Sequence, residues 1–167
     1  MRRLLEVWRC KNRVLGGIAA IVCAAQLSSA AVAQETPIPS DLPIPKGVVI
    51  TPPGPSTTQQ NAGFSGMWVG RWDGARSTAL IVTAIKGDDV DAIFCYGDRP
   101  KTWASSKSGL ESADCTKASG TISDGHMKIR MSSADAIYTM NNDGTLSGSW
   151  EFTSTKLRAT LQRVQYP

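Results

Sequence analysis

Met127-Lys128-Ile129-Arg130-Met131 alternates apolar and charged side chains without a break. Successive side chains of an extended backbone point to opposite faces, so the two methionines and the isoleucine share one face and the two cations the other. The segment reads as a strand with one buried and one solvated face. It follows Asp124-Gly125, a pair that tolerates the positive φ of a tight hairpin.

The same period of two recurs on both sides. Trp68, Gly70 and Trp72 alternate with Met67, Val69 and Arg71; Val90, Ala92, Phe94 and Tyr96 with Asp91, Ile93 and Cys95; Leu146, Gly148, Trp150 and Phe152 with Ser147, Ser149 and Glu151. Gly87-Asp88-Asp89 and Asn142-Asp143-Gly144 supply further hairpin turns. The pattern predicts an all-β domain with strands at 66–73, 77–86, 90–96, 118–123, 126–132, 135–141, 145–153 and 156–164. So many short strands must hide their edges, and closure into an antiparallel up-and-down β-barrel does so. A two-sheet sandwich is the alternative, but it needs longer crossovers than these hairpins provide. Gly70 and Gly148 lie between bulky inward residues, where they make room for rings or bend the strand.

Three stretches carry a family resemblance: Gly66-Met67-Trp68-Val69-Gly70-Arg71-Trp72, the hairpin Asn142-Asp143-Gly144-Thr145-Leu146-Ser147-Gly148, and the closing Leu157-Arg158-Ala159-Thr160-Leu161-Gln162-Arg163-Val164. Together they resemble small exported bacterial domains with calycin-like barrels, and Gly66-Met67-Trp68 is similar to the Gly-x-Trp first strand of lipocalins and avidins. The resemblance covers the domain and not what precedes it. It implies a barrel of about eight strands and no particular activity. The avidin ligand set has no residue-by-residue match here, so biotin binding is not implied.

The chain has 167 residues and a formal charge of +4, from 18 Lys and Arg against 14 Asp and Glu. Residues 1–33 hold five basic side chains and one acidic, which is the whole excess, and from residue 34 onward the two signs balance at 13 each. A nucleic-acid partner therefore lacks its main driving force. The first 33 residues read as a signal peptide: a basic stretch to Arg13, an apolar run from Val14 to Leu27, and Ala31-Val32-Ala33 before a cleavage point at Gln34. The run falls short of the roughly 20 apolar residues that span a membrane. Export to the periplasm or secretion is expected, with no stable membrane span once the leader is cleaved.

Seven of the nine prolines fall between residues 37 and 55. Proline fixes φ and removes a donor, which excludes helix and central strand and leaves extended backbone. Residues 34–63 are expected to be a flexible linker, and 64–167 the barrel domain. Proline-rich segments also bind partner domains with aromatic grooves.

Cys95 and Cys115 are the two cysteines outside the leader, and an even pair in an exported chain points to a disulfide. It would pin the long connection from Gly97 to Asp114 against the barrel. That connection contains Arg99, Lys101 and Trp103, which either contact a ligand at the barrel mouth or merely cover the core. The inward aromatics likewise either line a cavity or fill it.

Other chemistries find little support. His126 is the single histidine and sits at a hairpin, and no Gly-x-Ser-x-Gly elbow accompanies it. Asp88, Asp89 and Asp91 read as turn residues, without the further oxygen ligands of a calcium loop. No phosphate loop, zinc set or dinucleotide fingerprint occurs. The sequence thus points to an exported non-enzymatic barrel that needs no cofactor or metal. It would bind a small apolar or aromatic ligand at its mouth through Trp72, Tyr96, Arg99, Trp103, Tyr138 and Trp150. The alternative is a solid-core interaction module for an envelope protein, including an inhibitor or accessory of a secreted enzyme.

Overall fold

The computed structural model describes residues 36–73, 76–98, 112–131, 134–152 and 155–167. Eight strands run in chain order: β1 Gly66–Trp72, β2 Arg76–Lys86, β3 Asp89–Tyr96, β4 Asp114–Ser123, β5 His126–Arg130, β6 Asp135–Met140, β7 Leu146–Phe152 and β8 Thr155–Val164. Each pairs antiparallel with the next, and β8 returns to β1, so the sheet is a closed up-and-down barrel. Closure leaves no edge strand, which is the physical pressure that the sequence pattern implied. The largest departure from expectation is β4, which begins at Asp114 rather than 118. Its first residues are polar and show no alternation. They are drawn into the ladder by pairing with Phe94, Cys95 and Tyr96.

The interior receives the faces anticipated from alternation on β1, β3, β5 and β7, joined by residues of β2, β6 and β8 for which no alternation was read. Trp68, Trp72, Leu80, Val82, Val90, Phe94, Met127, Ile129, Tyr138, Leu146 and Leu161 form one buried cluster. Gly148 makes room for rings as expected, since a Cβ there would lie 3.1 Å from both Trp72 and Tyr138. Gly70 serves a different purpose. A Cβ at Gly70 would collide with the Thr160 carbonyl oxygen, so its role is the close approach of β1 to the β8 backbone.

One barrel end is closed by local structure. Thr58 caps the short helix α1, Gln59–Ala62, by accepting the Asn61 N–H at 3.2 Å. Asn61 in turn donates to Asp88 in the β2–β3 turn at 2.9 Å, and Phe64 is fully buried beneath. The Trp68 indole donates to the Phe64 carbonyl at 2.9 Å. Over the Trp68 ring, 4.3 Å from its centroid, lies the Arg163 guanidinium, which also donates to the carbonyls of Ser65 and Gly63.

A second apolar cluster lies outside the barrel. The outward residues Met67, Val69, Ala79, Ile81 and Cys95 are buried, and Leu42, Ile38, Ile44, Val48 and Ile50 pack over them. The proline-rich segment from residue 36 onward is therefore a strap bound to the barrel, where the composition alone suggested a flexible linker. The prolines do prevent helix and ladder, but they also pre-extend the chain, so less entropy is lost when it docks. The aliphatic residues interspersed among them supply the driving force. Burial of one Leu or Ile side chain contributes about 1.5–3 kcal/mol. Polar contacts complete the docking. A bulge between Val82 and Ala84 leaves the Thr83 carbonyl free to accept the Thr51 N–H at 2.8 Å. Tyr166 accepts the Val48 N–H at 3.0 Å and donates to the Pro45 carbonyl.

Candidate functional site

At the far end of the barrel, away from α1, strands β1, β3, β5 and β7 end and β2, β4, β6 and β8 begin. Here the register sets Trp72 opposite Arg76 on one side and Ala159 on the other. Tyr138 stands opposite Gly148, and Trp150 opposite Ala136 and Leu157. Because all of these side chains are on the inward parity, the three rings meet. The Trp72 and Tyr138 centroids are 6.3 Å apart, and those of Trp72 and Trp150 are 6.0 Å apart in an edge-on arrangement. Such tilted pairs suit the ring quadrupoles and each adds about 0.5–1.5 kcal/mol to area burial.

The cluster is apolar in body but not in its donors. The Trp72 Nε1, Trp150 Nε1 and Tyr138 Oη atoms are all buried and have no hydrogen-bond partner among the described residues. An indole N–H or phenol O–H removed from water without a partner costs about 1–3 kcal/mol. Buried donors in native structures are nearly all satisfied, so three in one cluster mark an unusual place. Burial holds the Tyr138 phenol well above the ordinary tyrosine range, so it stays protonated and a donor.

Beside the cluster, Arg76 is buried at 8 % exposure. Its Nε donates to the Gly97 carbonyl at 2.8 Å, and its guanidinium lies 4.2 Å over the Tyr96 ring. Desolvation raises the Tyr96 phenol and Asp114 adds to the rise, while the Arg76 charge opposes it. Tyr96 also packs on Phe94 at 6.1 Å. The Arg76 charge is thus already engaged by backbone and ring, whereas the indoles and the Tyr138 hydroxyl have no partner among the described residues.

Of the six binding residues expected from sequence, Trp72, Tyr138 and Trp150 form the ring cluster, and Tyr96 lies in the same buried core. Arg99 and Trp103 lie outside the described residues. Arg76 was not anticipated. It opens β2 on the inward parity, and a strand expected from residue 77 leaves it in the turn.

Cys95 and Cys115 are bonded, with Cα atoms 4.1 Å apart. They are direct partners on β3 and β4, so the bridge sits at the base of the connection that follows Tyr96. Cys95 is fully buried on the outer face under the strap, and the Cys115 sulfur lies 3.1 Å from the Pro43 carbonyl oxygen. His126 is exposed, its Nδ1 2.8 Å from Thr139 Oγ1. Asp88 accepts from Asn61, and Asp91 pairs with Lys86 at 3.6 Å. Among the described residues no cluster of His, Cys, Asp and Glu has the makings of a metal site, and no helix is long and apolar enough to cross a membrane.

Neither the models of known protein families nor the curated proteins include a match to this sequence.

Proposed function

We propose that the protein is an exported binding module whose barrel takes a small apolar or aromatic ligand beside Trp72, Tyr138 and Trp150. The observation that carries this reading is the convergence of three buried, unpartnered donors on one ring cluster. A site of this kind offers a ligand broad apolar contact and a few directional hydrogen bonds, which is the usual composition of a small-molecule pocket. Such a ligand carries acceptor oxygens or nitrogens on a flat apolar body. The cysteine pair and the leader-like first 33 residues support an oxidising, extracytoplasmic setting. No reaction is proposed.

Tryptophan fluorescence tests the reading, because two of the three site residues are reporters. Titration with planar aromatic ligands carrying carbonyl acceptors should quench emission saturably and raise the melting temperature. Trp150→Phe should weaken that response, since it removes one donor while keeping an apolar ring. Indifference of both emission and melting temperature to a broad ligand panel would refute the reading and favour a barrel that acts through its outer surface.

A further inference from the structure

The outer surface of the barrel has two unlike halves. Over β1 to β3 it is apolar and lies under the strap. Over β6, β7, β8 and the end of β1 it is polar, and there it forms a groove of about 630 Å³. The registers explain its shape. Thr160 stands opposite Ser147, and Ser147 opposite Thr139, so three hydroxyl side chains cross adjacent strands in one outward row. Their spacing is that of neighbouring strands, about 4.8 Å. Ser147 donates to Asn141 at 3.0 Å and Thr139 is bonded to His126 at 2.8 Å, which leaves each hydroxyl oxygen further hydrogen-bonding capacity. Gly148 and Ala159, whose side-chain positions face inward, contribute only backbone to the groove floor. Arg71 extends the row opposite Thr160, and Arg158 stands beside it opposite Ser149. One carboxylate, Asp73, also lines the groove; it accepts the Arg158 backbone N–H at 3.3 Å, and the two guanidinium groups outnumber it.

The two arginines distinguish this groove from the rest of the surface. Arg130 is held by Asp135, Arg163 by backbone carbonyls and Arg76 by the Gly97 carbonyl and the Tyr96 ring. Among the described residues, Arg71 and Arg158 alone of the arginines have guanidinium groups without a partner, and both line this groove. A second groove of about 580 Å³ over β3 to β6 also contains cations, but its Lys128 and Arg130 are already bound to Asp135 at 2.7 and 2.6 Å.

We propose that the groove lined by Arg71 and Arg158 binds an acidic oligosaccharide. Sugar carboxylates pair with the two guanidinium forks, and sugar hydroxyls exchange hydrogen bonds with the Ser and Thr floor. The surroundings favour a glycan over a polypeptide. A peptide laid on a sheet is held through free backbone groups at an edge or through aromatic and aliphatic anchors. The closed barrel has no edge, and among the described residues that line the groove the one large apolar side chain is Ile137, at 42 % exposure. A nucleic acid would need many more cations than a balanced surface provides.

Calorimetric titration of the purified protein with oligogalacturonate, oligomannuronate and a neutral oligosaccharide of equal length tests this. At least one of the acidic glycans should bind, with affinity falling as salt rises, and the neutral one should bind far more weakly. Arg71→Ala and Arg158→Ala should each cost roughly tenfold or more in affinity, as expected for a lost charge-assisted hydrogen bond, at unchanged melting temperature. Trp150→Phe should leave this binding alone, since Trp150 faces inward. The proposal is overturned if neither acidic glycan binds, if the neutral glycan binds equally well, or if both arginine variants bind like the parent. Stronger binding of a polyglutamate peptide or duplex DNA than of either acidic glycan would also overturn it.

Discussion

The hydroxyl of Tyr166 accepts the backbone N–H of Val48 at 3.0 Å and so joins the segment after β8 to the proline-rich strap before β1. The same hydroxyl donates to the Pro45 carbonyl. One phenol thereby satisfies two backbone groups in a segment that has few ladder partners of its own, since its prolines lack N–H groups.

Tyr166→Phe removes both bonds and retains the ring. It should cost about 1–2 kcal/mol, felt chiefly as local release of the strap. Hydrogen exchange of Val48 and limited proteolysis between residues 36 and 51 would report it. If neither changes, the hydroxyl does not hold the strap.

The disulfide closes a loop with a sequence separation of 20. In the chain-entropy model its loss costs about 3 kcal/mol, so replacing both Cys95 and Cys115 by Ser should lower the melting temperature clearly. The strap also covers Cys95. Reduction by a soluble thiol should therefore proceed faster in Leu42→Ala or Tyr166→Phe than in the parent. Equal rates would mean that the strap does not control access to the bridge.

Gly70 and Gly148 occupy inward positions on strands of similar character, yet they should respond differently to alanine. At Gly70 the new methyl meets β8 backbone, which cannot yield without opening the β1–β8 ladder. At Gly148 it meets the rings of Trp72 and Tyr138, which can shift by a few tenths of an ångström. Gly70→Ala should cost about 1–3 kcal/mol or more in a chemical denaturation series, and Gly148→Ala distinctly less. The reverse ranking would contradict this account of barrel closure.

Hydrogen bonds from Lys128, and secondarily from Arg130, hold the Asp135 carboxyl below the usual range, and Lys156 does the same for Glu151. A carboxylate whose folded pKa is depressed contributes stability that is fully present above its unfolded value and is lost as pH falls through the folded one. Asp135→Asn should accordingly destabilise at neutral pH, and its deficit should shrink as the pH drops below about 4. Added salt should diminish the effect, because the pair is exposed to solvent. Parallel pH–stability curves for parent and variant would contradict it.

The barrel was legible because alternation is a local property. Met127, Ile129 and Met131 need only an extended backbone to share a face, and the Asp-Gly and Asn-Asp-Gly turns fold the chain back wherever they occur. The ring cluster was legible in part for the same reason: Trp72 and Trp150 each showed inward parity on their own strand. Arg76 escaped because its identity as an interior residue depends on where β2 begins, and turn-flanking charges are ordinarily solvated.

The strap lay beyond local reading. Its prolines exclude helix and ladder, and that much is written in the composition, but whether an extended segment docks depends on an apolar surface elsewhere in the chain. A clue was present in Ala79-Leu80-Ile81-Val82, where alternation lapses and both faces are apolar. Such a run signals a strand buried on two sides. What covers the second side was decided only in three dimensions, by the bulge that frees the Thr83 carbonyl and by Tyr166 meeting Val48 from 118 residues away. Period and turn chemistry act between neighbours and so are readable along the chain. Burial of an outer face requires distant segments to converge, and it becomes visible only once the barrel has closed.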